Sequence, residues 1–152
     1  LRGAGVDVDL ETAGRVWDMV QDIPYDLTVF DDVFPVVDML KLRGLTLGML
    51  TNVGWNIDKM CQELGLAPYL DFIVTSQDVG RGKPHPPIFL AALERAGVES
   101  TDTLMVGDSY ISDVQGARGV GIQPLLLDRE GVLPEINDCP KIGDLMEILE
   151  HI

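Results

Sequence analysis

From residue 45 onward the chain alternates short apolar runs with stretches of helical periodicity. That alternation restricts the fold more than any other feature. Leu45–Leu50, Phe72–Thr75, Thr103–Val106 and Leu125–Leu127 read as strands. Helices are expected over about Asn56 to Leu64, closed by Gly65, and over Ile88 to Ala96, closed by Gly97. Helical punctuation returns at Asp113 to Arg118, and the tail from Lys141 to Glu150 reads as a last helix. Strands that alternate with helices imply βαβ units, right-handed crossovers and a parallel sheet, hence an α/β fold.

The first 30 residues follow a different pattern. Asp9 is placed to cap a helix from about Leu10 to Val20, with Val16, Trp17 and Val20 on one stripe. Ile23-Pro24-Tyr25-Asp26 breaks it. Val33 to Arg43 reads as the next helix, with Gly44 as its left-handed terminator. The 152 residues, 46% of them apolar, suffice for one domain with a real core. The net charge of −14, from 25 acids against 11 bases, argues against nucleic acid and anionic membranes as partners. No apolar run approaches the ~18 residues of a membrane span. Cys61 and Cys139 lack metal-site spacing, and reduced thiols in a cytoplasmic setting are the expectation.

Three strand tips carry polar groups. Thr51-Asn52 ends the first strand, Lys83 lies in the Gly- and Pro-rich loop 79–87, and Gly107-Asp108-Ser109-Tyr110-Ile111-Ser112-Asp113 follows the third strand. In a parallel sheet these tips share the edge where ligands bind. Asp108 and Asp113 supply two hard oxygen ligands suited to Mg²⁺, or they simply cap the next helix. Gly107 is expected to let the backbone turn sharply. A hydroxyl, a fixed ammonium and paired carboxylates around one point are the parts that phosphoryl transfer requires.

The motifs Thr51-Asn52, Gly82-Lys83-Pro84-x-Pro86-x-x-Phe89 and Gly107-Asp108-Ser109-x-x-x-Asp113-x-x-Gly116-Ala117 resemble, in order and spacing, motifs II, III and IV of the haloacid dehalogenase-like hydrolases. The similarity covers roughly residues 30 to 130. It implies a Rossmann-like three-layer α/β/α core over residues 31–152 with a mostly parallel sheet, and a helical cap remnant over residues 1–30. It further implies that Thr51 bonds the transferring phosphoryl group and that Lys83 neutralises charge on nucleophile and phosphate. Asp108 and Asp113 would bind Mg²⁺, with Asn52 and Ser109 as neighbours on the substrate side. The implied reaction is Mg²⁺-dependent hydrolysis of a small phosphorylated metabolite through an aspartyl-phosphate.

The family's first motif, Asp-x-Asp-x-Thr at the end of an apolar strand, has no good copy. The nearest stretch is Asp7-Val8-Asp9-Leu10-Glu11, where Glu11 stands in place of Thr and no apolar strand precedes. Two readings remain open: a weak motif I at Asp7 and Asp9, or an N-cap and acidic first helical turn at the end of a cap. Without motif I the central strand is missing, which leaves two ladder edges open. Either those strands close on each other, a second chain fills the gap as a dimer or strand-swapped assembly, or the chain is part of a longer protein. The functional rival is a non-catalytic phosphate- and metal-binding domain of the same type.

Overall fold

The structure is a computed structural model that describes Asp9, Glu11, Thr12, Arg15 and residues 27–53, 56–133 and 136–152. Its architecture is α/β, with parallel strands whose faces are covered by helices. The first long helix, α1 (Val33–Leu42), buries Val36 and Leu40, one turn apart, against Leu125, Ile142 and Ile148. Gly44 takes a positive φ after it and donates to the Lys41 carbonyl at 2.9 Å, the terminator role expected from sequence.

Strand β1 (Gly48–Thr51) is followed by α2 (Ile57–Glu63) and by β2 (Phe72–Thr75), which pairs parallel with β1 from Gly48–Phe72 to Thr51–Thr75. Then come the short α3 (Ser76–Val79) and α4 (Pro86–Ala96). Helix α4 buries Ile88, Phe89 and Ala92 against Val74, Ala117 and Ile122. Strand β3 (Leu104–Gly107) leads into a π-helical turn, Tyr110–Gln115, continued by α5 (Gly116–Arg118). Strand β4 (Gln123–Leu127) pairs parallel with β3 on one side and with β5 (Lys141–Ile142) on the other. Successive β4 side chains face opposite ways: Leu125 meets α1, while Leu126 packs with Val114 and Cys139. Burial on both faces is what a parallel strand requires, and it explains the unbroken apolar run.

The strands form two ladders, β1-β2 and β3-β4-β5, rather than one sheet. Among the described residues β1 and β3 do not pair, so direct closure of one on the other is not the arrangement formed. Met49, Leu50 and all four residues of β3 remain only half-buried, unlike Leu125 and Leu126 in β4.

Several local expectations are corrected. The tail 141–150 is not one α-helix. Lys141 and Ile142 extend the ladder beside Leu126 and Leu127, and Gly143 ends that pairing. Asp144 and Glu147 then form a reciprocal cap that starts a tight 3₁₀ turn, Leu145–Glu150. Strand β1 starts three residues later than expected, because Leu47 is tied on both its N–H and its carbonyl to Asp71 at the entry to β2. Asp9 accepts from the Thr12 N–H at 2.7 Å, which is N-cap geometry, and that bond holds its carboxyl below the usual range. Glu11, Thr12 and Arg15 are helical; Asp7, Trp17 and Trp55 lie outside the described residues.

Candidate active site

Thr51-Asn52 and Asp108–Asp113 follow the carboxyl ends of β1 and β3, and Lys83 lies in the loop between α3 and α4. At the tip of β1, the Thr51 hydroxyl oxygen accepts the Val53 N–H at 3.0 Å. With its lone pair engaged there, the hydroxyl proton is free to donate outward. The Asn52 amide reaches 31 residues along the chain to Lys83. Its Oδ1 accepts the Lys83 N–H at 2.6 Å and its Nδ2 donates to the Lys83 carbonyl at 3.0 Å. Ser76 Oγ, in the first turn of α3, donates to the Asn52 carbonyl at 2.9 Å.

Lys83 extends from this clamp to the other ladder. Its Nζ lies 2.7 Å from Asp113 Oδ1, and both side chains are largely buried, at 15% and 4% exposure. Asp113 Oδ2 accepts the Ser109 N–H at 3.0 Å, and Ser109 Oγ caps the π-helical turn by accepting the Ser112 N–H at 3.1 Å. Thr51-Asn52, Lys83, Ser109 and Asp113 are thus joined in one contact path from one ladder to the other. Asp108 precedes Ser109 and stands exposed at the end of β3.

Two expectations about this turn change. Asp113 sits inside the helical turn and folds back on its start, and the capping hydroxyl is that of Ser109. Gly107 is not needed for a special φ. It is needed because a Cβ there would collide with the Asp113 carboxylate, so its absence lets a buried acid lie against the strand end. Gly82 plays the same part beneath the Asn52 amide.

Lys83 and Asp113 meet as charges, but the ammonium is not aligned as a donor. Asp113 Oδ1 is buried with no hydrogen-bond partner among the described residues. The ammonium offsets part of the desolvation of this oxygen, and its unfilled hydrogen-bonding capacity leaves room for a hard cation beside it. The donor set at the end of β3 therefore fits Mg²⁺. Asp108 and Asp113 make two carboxylates, and the described residues contain no cluster of three or more His, Cys, Asp or Glu side chains.

The surroundings brace this edge. Arg118 and Tyr110 both donate to Asp138, at 2.6 and 2.7 Å, which keeps the Asp138 carboxyl below its usual range. The Arg129 guanidinium pairs bidentately with Asp32 at 2.7 and 3.0 Å and lies 4.2 Å over the Phe30 ring. Lys141 holds buried Asp128, just past β4, at 2.8 Å. None of these groups stood out in the sequence, because each pairs residues 13 or more positions apart.

Residues 1–121 match the model of the haloacid dehalogenase-like hydrolase family. The chain belongs to the haloacid dehalogenase-like hydrolases. It is 32% identical over 138 residues to haloacid dehalogenase-like hydrolase domain-containing protein 3 of Mus musculus, covering 82% of this chain and 55% of that protein. It is 37% identical over 115 residues to phosphoserine phosphatase of Thermus thermophilus, covering 71% and 45%. The crystal structure of a HAD phosphatase from Thermococcus onnurineus superposes with a TM-score of 0.76 at 34% identity, over 81% of this chain and 57% of that one. The chain thus spans about half the length of the curated relatives it matches. Relatives within this hydrolase family carry phosphatase names, which gives the site geometry its chemical context.

Proposed function

We propose that this polypeptide carries the phosphate- and metal-binding half of a Mg²⁺-dependent phosphatase that acts on a small phosphorylated metabolite. The observation that supports this most is the continuous path Asn52–Lys83–Asp113–Ser109, which joins the tips of β1 and β3 through the Lys83 loop. Thr51 would donate its hydroxyl proton to a phosphoryl oxygen. Lys83 would neutralise negative charge at the nucleophile and the transferring group. Asp108 and Asp113 would hold Mg²⁺, whose charge stabilises the oxyanion when bound.

The nucleophile belongs to the same proposal. Asp9 is a helix cap by geometry, and it sits outside any strand. An attacking aspartate on a strand between β1 and β3 would complete the sheet and form the aspartyl-phosphate. A further segment or a second copy of the chain would supply it, in a dimer or strand-swapped assembly. A cytoplasmic setting accords with the two buried free thiols. The described helices include none long and apolar enough to cross a membrane. The second reading, a binding domain without turnover, is favoured by the edges of β1 and β3 that stay unpaired among the described residues.

Hydrolysis of p-nitrophenyl phosphate by the 152-residue chain, with Mg²⁺ and with EDTA, separates the two. Phosphate binding without turnover is the expected result for the chain alone. Full monomeric turnover that is abolished by Asp7→Asn would show that the nucleophile lies within the first 10 residues.

A further inference from the structure

We infer that Asn52 is a positioning residue for Lys83 rather than a substrate ligand. The inference rests on the proposed phosphate site and assigns one of its residues a different task. A primary amide offers a donor group and an acceptor group at a short, fixed separation. Asn52 uses both on a single residue: the acceptor on the Lys83 N–H and the donor on the Lys83 carbonyl. One N–H and one lone pair of the amide are thus committed to the backbone of the loop, which fixes the plane of the side chain on Lys83.

Three features make the clamp specific. Gly82 leaves the space that the Asn52 amide occupies, since a Cβ there would collide with Oδ1 and Cγ. Ser76 fixes the Asn52 main chain by donating to its carbonyl. Lys83 Nζ, at the far end of a flexible four-carbon stem, meets Asp113 at 2.7 Å. Holding the lysine main chain at one end and pairing its ammonium at the other restricts a side chain that is otherwise rich in rotamers. The clamp also links the two ladders, because Asn52 belongs to β1's tip and Asp113 to the turn after β3.

Aspartate at position 52 keeps the acceptor for the Lys83 N–H but turns a donor toward the Lys83 carbonyl into a repelling oxygen. Alanine removes both bonds. Two lost bonds of ordinary strength correspond to about a thirtyfold weaker hold on the active lysine conformation.

The test uses the 152-residue chain with Mg²⁺ and inorganic phosphate, read by calorimetry, and Lys83 side-chain NMR without phosphate. Asn52→Ala is expected to weaken phosphate binding about thirtyfold, and Asn52→Asp at least as much, because its carboxylate repels both the Lys83 carbonyl and the anion. Asn52→Ala combined with Lys83→Ala should be no weaker than Lys83→Ala alone, since one residue acts through the other. Additive losses would overturn the inference by making Asn52 an independent ligand. In the phosphate-free arm, Asn52→Ala should shift the Lys83 Cε resonance toward that of a free lysine and speed exchange of the Lys83 amide. An unchanged Lys83 spectrum also overturns it. If the unaltered chain binds no phosphate while the Lys83 spectrum shifts as expected, the phosphatase reading fails and the clamp stands.

Discussion

The two ladders differ in how completely they are closed. In the three-stranded ladder β4 is paired on both edges, and Leu125 and Leu126 are fully buried on opposite faces. Its ends are pinned by Lys141–Asp128 and Arg129–Asp32. In the two-stranded ladder each strand has one edge unpaired among the described residues, and Met49 and Leu50 are half-buried. Only Val74 and Thr75 of β2 are fully covered. Each ladder brings an incomplete set of site groups. The hydroxyl and the lysine come with the open half, and the acids come with the closed one. The site therefore exists only where the halves are held together, and stability and function meet at that joint.

The joint has an apolar part and an ionic part. Phe89 of α4 packs on Ala117 and Ile122, and its ring fills the space that a Cβ on Gly116 would need. Phe89→Ala should give the largest loss, about 3–4 kcal/mol from transfer and cavity formation. Urea unfolding measures it, and a loss below about 1 kcal/mol would mean that the halves are not joined through this ring.

Next in size is the latch between α1 and the end of β4. Arg129→Met leaves Asp32 with one backbone donor and should cost about 2 kcal/mol, as for a partly buried pair that loses one member. The pH dependence follows from direction. Arg129 depresses the folded-state pKa of Asp32, so this stability is present above the unfolded value and is lost as pH falls through the folded one. Thermal melts of the parent should be flat from about pH 7 to 5 and fall below about pH 4, and Arg129→Met should flatten that acid limb.

The ionic joint comes third. Asp113→Asn is expected to weaken Mg²⁺ binding at least about tenfold, because one of only two carboxylates loses its charge. Titration calorimetry decides it, and unchanged affinity would detach Asp113 from the metal. Ser109→Ala removes a cap and should cost about 1 kcal/mol. Smallest is Lys59→Ala on the exposed face of α2, where the pair with Glu63 at 3.5 Å should be worth less than about 0.5 kcal/mol.

The parts of this molecule that were legible in the sequence are those set by local pattern. Phe72–Thr75 is β-branched and aromatic between turn residues, and it forms a strand with those bounds. Gly44 and Gly97 close their helices where they stand next to periodic apolar residues. The short α3 starts at a local signature, Thr75-x-x-Asp78, which the structure makes in full as a capping box. β5 could not be read locally, because two residues become a strand only through partners in β4. The same holds for the site. The spacing of Asp108 and Asp113 suggested shared chemistry, but the clamp of Asn52 on Lys83 depends on an empty space at Gly82 that only the folded loop creates.

The margins of β1 and β3, unpaired among the described residues, have a colloidal consequence. Backbone groups on an unpaired strand invite another strand, and half-covered apolar side chains add to the attraction. Copies of this polypeptide are kept apart by a shared negative charge of 14. That repulsion reaches about 10 Å in 0.1 M salt and about 3 Å in 1 M salt. Dilute buffer should therefore preserve dispersed molecules, and concentrated salt should drive them into edge-to-edge contact. A peptide strand that occupied the opening would remove the tendency at its source.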